Sequence, residues 1–188
     1  YMFLDWGRFY DAFAEQSEMV RRIRDYPYTR QYIDTTPYLY HIQQLATWGL
    51  GWPLGVVVWA GLVYASVSGM QWRHWATYLI LGWGLPAAIL LVSHGFPAIV
   101  VSSIISVVAL IATLPYRSKQ SRRNVILLAW VVPYFLITGS YQVKFLRYLL
   151  PVTPFLFLFG TSMLLDAWDN SHRTRPRLRP WMIAGLAI

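Results

Sequence analysis

In the run Tyr141-Gln142-Val143-Lys144-Phe145-Leu146-Arg147-Tyr148-Leu149-Leu150-Pro151, a lysine and an arginine stand three residues apart where a short polar stretch enters a long apolar one. Cations at such a boundary have two chemical uses. They can snorkel to lipid headgroups, or they can grip a phosphate on a lipid-linked ligand through charge-assisted hydrogen bonds. Both readings stand on the residues alone. A further cation, Arg30, sits in the polar and aromatic run Tyr28-Thr29-Arg30-Gln31-Tyr32. If the two segments emerge at the same end of the fold, Arg30, Lys144 and Arg147 can converge on one anionic group. Tyr28, Tyr32 and Tyr148 would then line the site.

Whether they meet depends on the elements between them. The chain is 56% hydrophobic and 13% charged, with a mean hydropathy of +0.40. Its apolar residues come in blocks close to the roughly 20 residues that a membrane crossing needs. Five are legible: Thr47 to Ser68, Trp75 to Ser93, Ala98 to Pro115, Asn124 to Ser140 and Tyr148 to Trp168. A sixth begins at Trp181 and is cut at Ile188, and with Tyr1 at the start the chain reads as part of a longer protein. The expectation is an all-α, polytopic helical membrane protein with five to six transmembrane helices. Residues 1–46 form an extracytoplasmic segment with an interfacial helix, and residues 47–188 form the membrane domain.

The net charge of +8 is distributed in a way that argues against a nucleic-acid surface. Arg73, then Arg117, Lys119, Arg122 and Arg123, then Arg173, Arg175, Arg177 and Arg179 fall in alternate connections between the blocks. The positive-inside rule assigns those connections to the cytoplasm. Residues 1–46, the His94 to Pro97 turn and the Lys144/Arg147 loop then share the opposite face. The Arg/Pro-rich run from Arg173 to Pro180 reads as a topology determinant that also attracts anionic lipid.

Within residues 1–46, Met2, Trp6, Phe9, Phe13, Val20 and Ile23 recur mostly at three- or four-residue intervals among charged residues, which is the pattern of an amphipathic helix. Such a helix either lies in the bilayer interface or packs on soluble segments outside this chain. Pro27 and Pro37 favour extended backbone before them, so Asp25 to Gln44 reads as irregular. Its tyrosines fit an aromatic belt at the lipid boundary or the wall of a binding cavity. Gly51, Gly55 and Gly61 suit close helix packing in lipid, Pro53 suits a first helical turn, and Pro86 and Pro133 lie inside spans where they can kink a helix.

The four histidines, His41, His74, His94 and His172, do not cluster, and no HExxH or Walker pattern is present. No metal site follows from them. With no cysteine there is no disulfide framework and no thiol-based metal or redox site. Almost no charge lies within the spans, which sets a transporter or flippase aside.

The phrases Tyr28-Thr29-Arg30-Gln31-Tyr32, Thr36-Pro37-Tyr38-Leu39-Tyr40 and Trp48-Gly49-Leu50-Gly51-Trp52-Pro53-Leu54-Gly55, followed by Val132-Pro133-Tyr134-Phe135 and Lys144-Phe145-Leu146-Arg147-Tyr148-Leu149-Leu150-Pro151, carry a family likeness. Over about residues 8 to 165 the chain resembles bacterial polytopic membrane glycosyltransferases of the C-type superfamily. The branch it resembles includes protein O-mannosyltransferases and aminoarabinose transferases, and the likeness is to their carboxy-terminal part. The resemblance implies transfer of a sugar from a polyprenyl-phosphate carrier to an acceptor at the extracytoplasmic face of a bacterial cytoplasmic membrane. An acidic side chain would deprotonate the acceptor, and cations would stabilise the phosphate leaving group. Arg30, Lys144 and Arg147 are the matching cations. The acid of such enzymes usually lies in a first outer loop that nothing here matches; Asp25 and Asp34 are the available carboxylates, and neither carries a motif. The resemblance names no cofactor and leaves a divalent metal open. The partners it implies are membrane lipid and the lipid-linked donor. A non-catalytic membrane subunit that packs on other membrane subunits through glycine-rich and aromatic faces is the competing expectation.

Overall fold

The computed structural model describes residues 5–24, 26–93 and 95–174. The expected sixth block, Asp25, His94 and the arginines from Arg175 onward lie outside these residues. Among the described residues every regular element is helical and there is no strand.

Helix α1, Trp6–Val20, starts where the Asp5 carboxylate accepts from the Arg8 N–H at 3.1 Å and stops before Arg22, whose φ is 57°. A 3₁₀ turn, Pro27–Tyr32, follows. Helix α2, Leu39–Gln44, runs on through a wide π turn, Leu45–Gly49. The segment read as irregular is thus largely helical, because Pro27 falls in a first turn, where its missing N–H costs nothing. The boundary drawn between residues 46 and 47 falls inside this helical run.

Helix α3, Trp52–Val67, is followed by α4, Trp72–Tyr78, which continues through a second π turn, Leu79–Gly84, into α5, Leu85–Val92. Helix α6, Phe96–Ala112, ends in a 3₁₀ turn at Leu114–Tyr116. Next come the short α7, Lys119–Arg122, then α8, Val125–Ser140, a 3₁₀ turn at Leu146–Leu149, and α9, Thr153–Thr174. Two helical runs, Trp72–Val92 and Phe96–Tyr116, are long and apolar enough to cross a membrane, at 21 residues each. Helices α3 and α8 are apolar but only 16 residues long.

Helix α8 forms the centre. Leu128, Val131, Val132 and Leu136 are all buried, as expected for a helix that is apolar all round. Pro133 is buried inside it without ending it. Glycine lets α3 and α9 approach backbone to backbone, since a Cβ on Gly61 would fall on the main chain of Gly160. Gly55 packs equally tightly on Ala46, whereas Gly51 serves the turn before α3 with a φ of 80°.

At the α3–α6 end, Arg117 is 3% exposed. It donates to the Ala65 carbonyl (3.2 Å), the Ser66 carbonyl (2.6 Å), Thr113 Oγ1 (2.8 Å) and Ser121 Oγ (3.1 Å). It caps carbonyls that the last turn of α3 leaves without intrahelical partners. The sequence placed it among the cations of the connection between the third and fourth blocks; its fixed fork of donors suits the interior role that the structure gives it.

Candidate functional site

At the other end of the bundle the two segments singled out in the sequence meet. The C-terminus of α1 is pinned by its last carbonyl, that of Val20, which accepts from both Gln142 N–H (3.2 Å) and Val143 N–H (3.3 Å). Tyr38 N–H donates to the Gly139 carbonyl at 3.0 Å, and the Tyr38 ring packs on Gly139 where any side chain would collide. Lys144 completes the junction. Its Nζ donates to Thr35 Oγ1 at 2.9 Å, to the Thr35 carbonyl at 3.3 Å and to the Gln142 carbonyl at 3.3 Å.

Lys144 is 2% exposed, and burial, then the charge of Arg22, pulls its pKa below the ordinary lysine value. It ties residues 26–38 to the Gln142 turn and presents no open face to a phosphate. Arg147 is the accessible cation of the pair. Its guanidinium lies 4.4 Å from the Phe145 ring centroid and 5.8 Å from that of Tyr148, and it remains exposed. Arg30 is exposed on the Pro27–Tyr32 turn. The neighbouring Tyr32 is buried edge-on against Phe145 (5.6 Å) and Tyr40 (5.7 Å). Burial raises the Tyr32 pKa, and the nearby Arg147 charge offsets that rise only in part.

The other expected site residues separate. Tyr28 is exposed and its hydroxyl reaches Met19 Sδ at 3.4 Å. Asp34 is exposed in the turn after Tyr32, with φ at 60°. Asp25 lies outside the described residues. Tyr148 stacks edge-on with Tyr141 at 6.0 Å and faces a cavity that the sequence did not reveal.

That cavity, of about 650 Å³, opens between α1 and the ends of α6 and α8. Phe13, Gln16, Ser17, Val20 and Arg21 roof it, Phe96 and Ile99 form one wall, and Tyr134, Ile137 and Thr138 form the other, with Tyr141 and Tyr148 closing the junction end. Its lining is mostly apolar, with Arg21 as its one charged residue. Arg21 is held by a bond from Nε to the Ser17 carbonyl at 3.2 Å. The roof residues at 13, 16, 17 and 20 follow helical spacing. The apolar stripe of α1 already contained Phe13 and Val20, whereas the polar Gln16 and Ser17 carry no periodic signal that would have found them. The outer edge, Trp6, Phe9 and Phe13, forms an exposed ladder of rings with centroids 5.6 and 6.4 Å apart.

His41 is 1% exposed, and neither ring nitrogen has a hydrogen-bond partner among the described residues. Burial, reinforced by the Lys144 charge, pushes its pKa down to about 4. No group of three or more potential metal-ligating side chains exists among the described residues. No family model, no curated protein and no solved structure matches this chain.

Proposed function

We propose that this chain is the donor-holding part of a polytopic membrane glycosyltransferase with five to six spans, which uses a polyprenyl-phosphate sugar at the extracytoplasmic face. In this reading α3, α8 and α9 cross the bilayer with the two longer helical runs, and residues 1–46 lie outside. The observation that carries it is the α1-roofed cavity: a mostly apolar chamber lined by Arg21 and by three tyrosines, Tyr134, Tyr141 and Tyr148, and joined through Tyr148 to Arg147. An isoprenoid chain suits the apolar walls, and a phosphate suits the cations at the rim. Arg147 and Arg30 remain the candidates for stabilising the phosphate as it leaves, while Lys144 supports the turn that presents Arg147. The exposed Trp6–Phe9–Phe13 ladder suits a helix resting in the headgroup layer. Asp34, exposed in the turn after Tyr32, is the carboxylate of this segment available to activate the acceptor.

The test is transfer from a polyprenyl-phosphate sugar by the full-length protein in membranes. Arg147→Ala is expected to lower the rate roughly 100-fold, the scale of removing one donor to a developing anion. Equal rates would remove Arg147 from the mechanism. One observation favours a second reading, that of a non-catalytic subunit: Ile126 and Trp130 stand exposed, one helical turn apart, on the otherwise buried α8, as a face for a neighbouring membrane helix would.

A further inference from the structure

Opposite the α1 cavity, at the Arg117 end, a second pocket of about 270 Å³ opens between the last turn of α3, the middle of α9 and the α7–α8 connection. Its lining is polar. It contains one carboxylate, Asp166, and one cation, Arg123, and Ser68, Ser118, Ser121, Asn124 and Ser162 also line it. Asp166 stands at the C-terminal edge of the apolar block of α9 and is exposed. The Tyr64 hydroxyl donates to its Oδ2 at 2.9 Å, which fixes the carboxylate at the pocket wall.

The level of this pocket is marked independently. At the same end of the bundle, Trp72 and Tyr116 stand exposed, and the Tyr116 ring stacks on His74 at 3.8 Å. Exposed Trp and Tyr at a helix end are the aromatic belt of the headgroup layer. A pocket at that depth with one fixed negative and one positive wall fits a group that carries both charges a few ångströms apart.

We infer that this pocket binds the headgroup of an aminophospholipid: its primary ammonium donates to Asp166 and the serine hydroxyls, and its phosphate faces Arg123. A choline headgroup carries the same charges but has no N–H to donate, so it is discriminated against. The inference rests on the bilayer reading proposed above, but not on sugar transfer.

The experiment incorporates the full chain into nanodiscs of equal parts phosphatidylethanolamine, phosphatidylcholine and phosphatidylglycerol. Lipid retained on release is then measured by native mass spectrometry. Phosphatidylethanolamine is expected to be retained about tenfold over phosphatidylcholine, the effect of one charge-assisted hydrogen bond. Asp166→Asn keeps an oxygen for Tyr64 and is expected to bring the ratio close to one. Arg123→Gln is expected to weaken retention of phosphatidylethanolamine and phosphatidylglycerol alike. A wild-type ratio near one, or a ratio that survives Asp166→Asn, overturns the site. Displacement of the retained lipid by soluble phosphoethanolamine at equal concentration overturns the lipid assignment in favour of a free ligand. Failure to enter nanodiscs at all counts against the bilayer reading, and loss of sugar transfer leaves this site standing.

Discussion

A lysine or arginine buried in a low-dielectric interior is tolerable only where its N–H donors are matched, and Lys144 and Arg117 are matched in the same way at opposite ends of the bundle. Each donates to main-chain carbonyl oxygen from an element far away in sequence and to hydroxyls, that of the same distant Thr35 for Lys144 and those of the nearby Thr113 and Ser121 for Arg117. The charge and boundary position of Lys144 were legible in the sequence; its burial was not, because that depends on Thr35 arriving from 109 residues away. His41 is the less well matched neighbour, and its effect on stability has a definite sign. Above a pH of about 6.5 the imidazole is neutral both folded and unfolded. As the pH falls from there to about 4 the unfolded chain takes up a proton that the folded chain refuses. Stability therefore drops by about 3 kcal/mol across that window and levels off below it. Thermal unfolding followed from neutral to acid pH checks this, and His41→Gln is expected to flatten the slope within the window.

Among the elements, the helices were the most legible part of the chain because each apolar block is long. The structure moves their ends by a few residues, as at Trp72–Val92 and Phe96–Tyr116. What periodicity could not supply was the helical run Leu39–Gly49, hidden by two prolines and four nearby tyrosines. The α1 cavity was likewise out of reach, since its walls come from three separate helices. The glycine reading held at Gly55 and Gly61 and failed at Gly51, where a turn needs the residue instead. Gly61→Val is expected to force α3 from α9 and to cost about 2–3 kcal/mol, seen as a lower denaturation midpoint in mild detergent. Val56→Leu, on the exposed face of the same helix, is the control and is expected to leave the midpoint unchanged.

For the whole molecule, the arrangement that matters is that residues 26–38 and the Gln142–Arg147 turn share one end of the bundle, with α1 laid across the cavity beside them. The alternation of apolar blocks and basic connections was enough to expect that shared end. The sequence left open whether α1 meets lipid or protein, since an exposed apolar stripe serves either. With no cysteine in the chain, single-cysteine labelling answers this cleanly. In lipid nanodiscs Phe9→Cys is expected to react about tenfold more slowly with a water-soluble thiol reagent than Asp11→Cys on the opposite side of α1. Equal rates would mean that α1 lies clear of the bilayer.

The wide turns at Leu79–Gly84 and Leu45–Gly49 bear on how this chain can change in length. Dropping one residue from an ordinary buried helix swings everything beyond it by about 100° and turns its inner face outward. A π turn already stores a surplus residue. A lost codon within Leu79–Gly84 lets the backbone close to normal pitch while Leu90, further along, keeps its inward aim, so the stretch is a place where a gene can shorten without inverting a helix.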